Sequence, residues 1–394
     1  MSSISASRKR ASSPSVPNKR ETGRLLIYLA TGLFCCQAVY DGAVTDVTSI
    51  GTATTPTKRG RGEKSSATIY DIAKLAGVNP STVSRALSKP GRVSAKTQKI
   101  IEDAAAELNY QVNPFARALP TGRTQTIGLI VADITNPTFF DIIRGAETTG
   151  SARDYTLVLA ESAESPETEV TAARRLLSTV DGLILASPRM DDDHIRALAA
   201  DKPVAVINRE IQGVPCVVPD VNKGISEAVR SLAANGHEKL AYVAGPKQSW
   251  MTARRWEGVK AAAEWSKLSA VRLESSKPTV DGGRQVARDV LESGATAVIT
   301  YNDLLAIGLM QELQAGGMRV PDQISIVGFD DIFGADFTTP ALTTVRSPLG
   351  ECGTRAVTIL LDMLQGQDAP GEAVRVETEL VVRGSSGRLL VQPT

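Results

Sequence analysis

The sequence has few of the residues from which metal centres, disulfide frameworks and catalytic sites are built. Its 394 residues include only two histidines, His194 and His237, and four cysteines. No two cysteines have CxxC spacing, so neither a zinc site nor a disulfide framework is indicated, and this usage suits a reducing cytoplasm. The sequence contains no Ser-His-Asp order and no phosphate-binding glycine loop. We therefore expect no enzyme, no cofactor and no bound metal.

A strong net charge is also lacking. The chain has 44 Lys and Arg against 43 Asp and Glu, which excludes a protein that is basic throughout. The basic residues instead gather locally, since residues 64–123 contain nine Lys and Arg against four Asp and Glu. This bias is typical of a segment that contacts phosphates, attached to a neutral body. The chain is also too long for one compact domain.

Residues 1–66 lack the composition of a folded domain. They are rich in Ser, Thr, Pro, Gly and basic residues, and we expect a disordered extension. Within it, residues 25–40 are mostly apolar, but this run is shorter than the roughly 20 residues of a membrane-spanning helix. Three interpretations of the run stay open: an erroneous upstream start, a weak membrane anchor, or a short helix that binds a partner.

Two short helical patterns joined by a tight turn occupy residues 68–88. The turn ends at Asn79, a good N-cap, and Pro80 suits the first position of the second helix. Apolar residues share one face of each pattern: Ile72, Leu75 and Ala76 in the first, and Val83, Ala86 and Leu87 in the second. Such a pair makes a helix-turn-helix, whose second helix fits the major groove of DNA. A plain helical hairpin is the alternative.

The face of the second helix opposite its apolar stripe is polar. Its hydroxyl and guanidinium groups can bond to base edges and phosphates, and they belong to Ser81, Thr82, Ser84 and Arg85. Ser94 is expected to cap a third helix. The buried stripe of that helix is predicted at Ile100, Ile101, Ala104, Ala105 and Leu108.

Beyond residue 125, apolar runs alternate with amphipathic segments of helix length. The first block contains TIGLIVA, YTLVLA, DGLILA and PVAVIN, and the second contains KLAYVAG, TAVIT, ISIVGFD and LTTVRS. This alternation predicts parallel sheets that are covered on both faces. Two such blocks predict an α/β core of two doubly wound lobes, with a ligand cleft at the carboxyl ends of the strands.

The order YDIAKLAGV, STVSRAL, VSAKT, ELNY, NPFARAL and TIGLIV, followed by GP…R…G, TYND and SIVGFDD, resembles the LacI/GalR (lactose-repressor/purine-repressor) family of bacterial transcription regulators over residues 68–384. The resemblance implies an all-α helix-turn-helix head at 67–112, a hinge at 113–124, and an effector-binding and dimerisation core at 125–394. The core would be bilobal and similar to periplasmic binding proteins. Lobe 1 would span about 125–220 and 348–374, and lobe 2 would span about 221–347 and 375–394.

The resemblance also implies which residues contact DNA. Pro80 and Ser81 match positions that vary with the operator, and the other head candidates are Tyr70, Thr82, Ser84, Arg85 and Arg92. The hinge candidates are Asn113, Ala116 and Leu119, on a short helix that would form on DNA and insert Leu119 into the minor groove. Pro120 disfavours helical geometry at Leu119, and a plain linker is the alternative.

Polar residues at strand ends are the effector candidates. Asp330, Asn302 and Arg255 match the family's contact positions, and carboxylate, amide and guanidinium groups suit the hydroxyls of a sugar. Asn208 and the aromatic pair Phe139 and Phe140 are assigned to the cleft by the same match. Trp250 is a further stacking candidate, whereas Asp303 is as well explained by capping of the next helix.

These observations together predict a sequence-specific transcriptional regulator, a repressor, controlled by a small molecule, for which a sugar or sugar derivative is favoured over a purine. We expect a cytoplasmic homodimer that binds double-stranded operator DNA and no membrane. The chain reaches Thr394 without a leucine heptad tail, which favours a dimer over a tetramer. A sugar-binding transport protein would explain the core but leave residues 68–119 without a purpose. An enzyme of sugar metabolism lacks a candidate base or nucleophile.

Overall fold

A computed structural model describes residues 67–88, 91–108, 110 and 122–390. The predictions for residues 1–66, including the apolar run at 25–40, lie outside these residues. The hinge candidates Asn113, Ala116 and Leu119 lie outside them as well.

The head is a cluster of three short helices, α1 (Ile69–Ala76), α2 (Pro80–Ser88) and α3 (Ala95–Glu107). Its local signals act as predicted. Gly77 ends α1 in the left-handed conformation, with φ 65°. Asn79 Oδ1 accepts a hydrogen bond from the Ser81 amide at 3.0 Å, and Ser94 Oγ accepts one from the Thr97 amide at 3.2 Å. These caps satisfy amides that the first helical turn leaves without partners.

The prediction that Leu75 and Ile100 belong to the buried core of the head is wrong. Leu75 is 46% exposed and Ile100 is 42% exposed. The buried face of α1 instead follows Ile72 and Ala73, and that of α3 follows Ile101 and Ala104. Leu75 and Ile100 have helical spacing from buried residues, but they lie at the exposed margins of the buried stripes. Val83 and Ala86 of α2 complete the core as predicted.

Lobe 1 is built on a six-stranded parallel sheet with the strand order β11-β5-β4-β3-β1-β2. Its strands are β1 (Thr126–Val131), β2 (Thr156–Glu161), β3 (Gly182–Ala186), β4 (Val204–Ile207), β5 (Cys216–Asp220) and β11 (Val374–Glu377). Its helices are α4 (Thr138–Ser151), α5 (Pro166–Leu177), α6 (Asp192–Asp201) and α12 (Leu349–Leu364).

Lobe 2 contains a second six-stranded sheet with the order β12-β10-β9-β8-β6-β7, in which only β12 is antiparallel. Its strands are β6 (Lys239–Ala244), β7 (Ser269–Glu274), β8 (Ala297–Thr300), β9 (Ser325–Asp330), β10 (Thr343–Arg346) and β12 (Glu379–Val381). Its helices are α7 (Val221–Ala234), α8 (Trp250–Trp265), α9 (Val280–Gln285), α10 (Ala287–Ser293) and α11 (Asp303–Ala315).

The chain passes between the lobes after β5, after β10 and again at Thr378, between β11 and β12. Because β11 pairs with β5, lobe 1 continues to Glu377, whereas its predicted boundary is at about residue 374. Thr378 is buried, and its Oγ1 donates to the Asp220 carbonyl at 2.7 Å and accepts from the Gly224 amide at 3.1 Å. These bonds hold the first and last crossings together beneath the cleft.

Candidate DNA-binding face and interlobe cavity

The polar face of α2 is open to solvent. Ser81, Ser84 and Arg85 are exposed, and Thr82 and Pro80 are half-buried. Tyr70 on α1 is 74% exposed, and Arg92 in the turn before α3 is exposed. Within the part of the chain that the structure describes, Arg85 makes no ion pair. The face therefore presents the Arg85 guanidinium to a partner that supplies acceptor oxygens.

A cavity of about 20 Å³ lies between the two lobes, where parallel strands of both sheets end. From lobe 1 it is lined by Asn136, Thr138, Phe139, Glu164, Ser187, Arg189 and Asn208. From lobe 2 it is lined by Met251, Arg255, Pro278, Tyr301, Asn302 and Asp330. The carboxyl edge of parallel sheets is where α/β proteins bind small molecules.

The Arg255 side chain from α8 is the central cation of lobe 2. It is buried, and its Nη2 donates to Asp330 Oδ1 at 2.6 Å. Its Nη1 donates to the Tyr301 carbonyl, and its guanidinium carbon lies 3.7 Å from the centroid of the Phe329 ring. The Nε atom is buried without a hydrogen-bond partner among the described residues. Ring faces and a carboxylate thus compensate a charge that has been removed from water.

Asp330 joins the two lobes. It ends β9 with a positive φ of 102°, which turns its carboxylate back toward the cavity. Besides the Arg255 pair, Oδ2 accepts from Thr138 Oγ1 of lobe 1 at 3.4 Å, and Oδ1 accepts from Ser347 Oγ at 3.4 Å. A left-handed aspartate is costly and persists only where its surroundings hold it. Any displacement of Asp330 will therefore change its contacts with both lobes.

The lobe 1 wall contains a second buried arginine, which sequence reasoning missed. Arg189 Nε donates to Glu164 Oε2 at 2.6 Å, and Nη1 donates to the Ser187 carbonyl at 2.9 Å. Arg189 follows β3 and Glu164 follows β2. A search of polar residues after every strand, rather than mainly those of the second block, would have found both.

Two predicted amide side chains line the cavity, and they differ in whether their oxygen already has a hydrogen-bond partner. Asn208 lies in the left-handed region, with φ 64°, and its Nδ2 donates to Ser187 Oγ at 3.0 Å. Its Oδ1 is buried without a partner among the described residues, so it can accept from a ligand. Asn302 instead caps α11, because its Oδ1 accepts from the Leu305 amide at 3.0 Å and its Nδ2 donates to the Pro278 carbonyl at 2.9 Å.

Asp303 lies behind the cavity and does not line it. Its carboxylate is buried and accepts from Thr344 Oγ1 at 2.6 Å and from the Ile332 amide at 2.8 Å. Burial raises its pKa to about 8. Asn302, rather than Asp303, is the N-cap of α11. Asp303 braces the turn that follows Asp330.

Two aromatic candidates do not line the cavity. Phe139 is buried and lines the cavity, but Phe140 is 42% exposed and does not line it, because adjacent helical residues point in different directions. Trp250 does not line the cavity either, and Arg254 lies over its ring at 5.5 Å. His237 has the expected structural role, since its ring nitrogens contact Thr296 Oγ1 at 3.0 Å and Ser325 Oγ at 2.9 Å.

The fold and these two sites define a class of protein: a DNA-binding regulator with a ligand-binding core. Residues 68–113 match the family described as bacterial regulatory proteins, lacI family. Residues 229–386 match the periplasmic binding protein-like domain. Among the described residues, no helix is long and apolar enough to cross a bilayer, and no group of side chains suits a metal ion.

Whole-length relatives agree with these matches. The transcriptional repressor CytR of Escherichia coli K12 is 30% identical over 335 residues, covering 83% of this chain and 98% of CytR. The ribose operon repressor of Halalkalibacterium halodurans is 32% identical, covering 80% and 96%. The structure of a lac repressor dimer bound to operator and the anti-inducer ONPF is similar with a TM-score of 0.75 and 28% identity, covering 82% of this chain and all of that one.

The chain belongs to the LacI family of bacterial transcriptional regulators. It is a DNA-binding transcriptional repressor with a helical head and a bilobal core similar to periplasmic binding proteins. The relatives above are repressors rather than enzymes. The predicted fold class and family are confirmed, and the alternative of a transport protein is wrong, because the match includes the DNA-binding head.

Proposed function

We propose that this repressor binds a palindromic operator as a homodimer and that a sugar or sugar derivative in the interlobe cavity controls the binding. The proposal depends on one observation above all: the Arg255–Asp330 pair is buried between the lobes and contacts both of them. A ligand that engages this pair must alter how the lobes meet.

The DNA side of the proposal assigns base and phosphate contacts to the polar face of α2, with Tyr70 and Arg92 at its margins. One head offers few contacts, so two heads on a two-fold axis match a palindromic site. The similar lac repressor structure is a dimer bound to operator, which supports this assembly. Asn113, Ala116 and Leu119 stay our candidates for the hinge contacts.

The effector side follows from the chemistry of the cavity wall. Asp330 and Asn208 can accept hydrogen bonds from hydroxyls, and Arg255 can donate to ring or hydroxyl oxygens. Phe139 can pack against an apolar sugar face. The relative named the ribose operon repressor favours a sugar.

The size of the cavity links binding to lobe movement. Ligand sites usually enclose about 300–1,000 Å³, so a cavity of about 20 Å³ must widen before a sugar enters. The ligand then shifts the lobe equilibrium by its difference in affinity for the two arrangements. We propose that this shift changes the spacing of the paired hinges.

Selection of bound DNA from a random pool, repeated with a panel of sugars and nucleosides, tests the proposal. We expect one two-fold symmetric sequence, and one sugar that changes operator affinity by roughly 5- to 150-fold. Linkage requires that operator change the affinity of that sugar by the same factor. A footprint of one half-site would contradict the dimer, and equal sugar affinities with and without operator would contradict control through the cavity.

A repressor acts where the chromosome is, so we also propose a cytoplasmic location. Cell fractionation followed by immunoblotting tests this. Recovery of the full chain in the membrane or periplasmic fraction would contradict it.

A further inference from the structure

We propose that the interlobe cavity selects an uncharged, hydroxyl-rich ligand over its phosphorylated counterpart, and that Glu164 and Arg189 of lobe 1 determine this specificity. The inference rests on the proposed function, because it takes the cavity to be the effector site. It adds the charge of the effector and two residues that the sequence analysis did not assign.

The first argument is charge balance. Among the described residues that line the cavity, two side chains are cations and two are carboxylates. Each arginine is paired within its own lobe, Arg189 with Glu164 and Arg255 with Asp330, and both N–O distances are 2.6 Å. Both arginine side chains are only 4% exposed. The cavity therefore presents no uncompensated cation.

The second argument is the cost of adding an anion. A phosphate ester would bring about −1.5 to −2 charges at neutral pH next to the carboxylates of Glu164 and Asp330. If Arg255 left Asp330 to neutralise the phosphate, the Asp330 carboxylate, whose side chain is 5% exposed, would become a buried charge without a partner. A buried charge without a partner is strongly destabilising. A neutral ligand avoids this cost.

The third argument is hydrogen-bond complementarity. The buried Oδ1 of Asn208 lacks a partner within the described residues, and it needs a donor. Arg189 uses Nε and Nη1 within lobe 1, which leaves Nη2 to donate to a ligand. A hydroxyl both donates and accepts, so vicinal hydroxyls can satisfy both groups. A phosphate dianion placed beside Asn208 has no proton to donate to Oδ1, whereas a hydroxyl in the same place has one.

Titration calorimetry of the full-length dimer with matched pairs tests the selection. The pairs are D-ribose and D-ribose 5-phosphate, D-glucose and D-glucose 6-phosphate, and adenosine and adenosine monophosphate. We expect the neutral member of the pair that binds to have at least ~10-fold higher affinity, which corresponds to about 1.4 kcal/mol. A phosphorylated member that binds as tightly as its neutral parent would overturn this inference but leave the proposed function intact. Failure of every compound would overturn both.

Glu164→Gln sharpens the test, because it removes the negative charge and keeps an oxygen that can accept from Arg189. We expect the preference for the neutral ligand to shrink by about tenfold in this variant. Glu167→Gln is the matched control, since Glu167 is an exposed residue in the first turn of α5 and does not line the cavity. A preference that is unchanged in Glu164→Gln would overturn the role of the pair. If this variant does not fold, the comparison on the natural protein still decides the selection.

Discussion

The α2 face and the interlobe cavity both depend on arginine, and they use it in opposite ways. Arg85 is exposed and, among the described residues, has no acidic partner. Arg255 is 3% exposed and is paired with Asp330. The head thus leaves its charge for DNA to neutralise, whereas the core neutralises its own. An exposed arginine stays hydrated and has no desolvation cost, but a buried arginine requires a carboxylate from the same chain.

This contrast predicts the largest effect under added salt. Raising salt from 50 to 200 mM should lower operator affinity by about 10³- to 10⁵-fold if the dimer makes roughly 6–10 phosphate contacts, because bound cations are no longer released as favourably. Sugar affinity should change little, since buried pairs are weakly screened. Fluorescence anisotropy with labelled operator and calorimetry with the sugar measure the two. Equal salt dependences would break the contrast.

Removal of the internal partner should cost the core stability. Asp330→Ala leaves Arg255 charged and buried, and we expect a loss of about 3–5 kcal/mol in the free energy of unfolding, together with loss of the sugar response. Asp322→Ala is the control, because Asp322 pairs with Arg319 at the surface, where a pair contributes about 0–1 kcal/mol. Urea denaturation measures both. Similar losses in the two variants would show that burial does not govern this pair.

Removal of the exposed arginine should leave the fold unchanged and weaken DNA binding. Arg85→Ala should cost roughly 1–3 kcal/mol of operator binding for each base pair that the guanidinium recognises, with the melting temperature preserved. Arg288→Ala is the control, because the Arg288 side chain is 85% exposed on lobe 2. Anisotropy with the selected operator distinguishes them. If Arg85→Ala behaves like Arg288→Ala, α2 is not the DNA-contacting helix.

The smallest expected effect is a pH dependence of stability that comes from Asp303. Burial raises the pKa of this carboxyl from 3.8 to about 8. Between these values the folded protein keeps a proton that the unfolded chain releases, so stability falls as pH rises. The stabilisation is complete below pH 3.8 and is lost as pH rises toward 8. Between pH 6 and pH 7 this one group should therefore lower the free energy of unfolding by about 1.4 kcal/mol.

Comparison of the natural protein with Asp303→Asn isolates this slope. The variant loses one acceptor at every pH but cannot titrate at this position. Its stability relative to the natural protein should therefore improve between about pH 6 and about pH 7, as measured by urea denaturation. A difference between the two proteins that does not change with pH would contradict the raised pKa.

Elements with strong local signals were predictable. The caps at Asn79 and Ser94 depend on side chains within three residues of the amides they satisfy. Strand β7 (Ser269–Glu274) was not predicted, because it is an edge strand and its residues are half-buried or exposed. An edge strand needs no continuous apolar run, so the search for such runs did not detect β7.

The sequence by itself determined the helical head, the alternation of strands and helices, and the exposed polar face of α2. Periodicity and caps act over a few residues, and an exposed contact needs no second segment of the same chain. Only the tertiary structure decided that Glu164 pairs with Arg189, that Asp330 joins the lobes, and that Phe140 faces away from the cavity. Each depends on groups far apart in sequence that become close neighbours on folding, where burial and short distances set the energy.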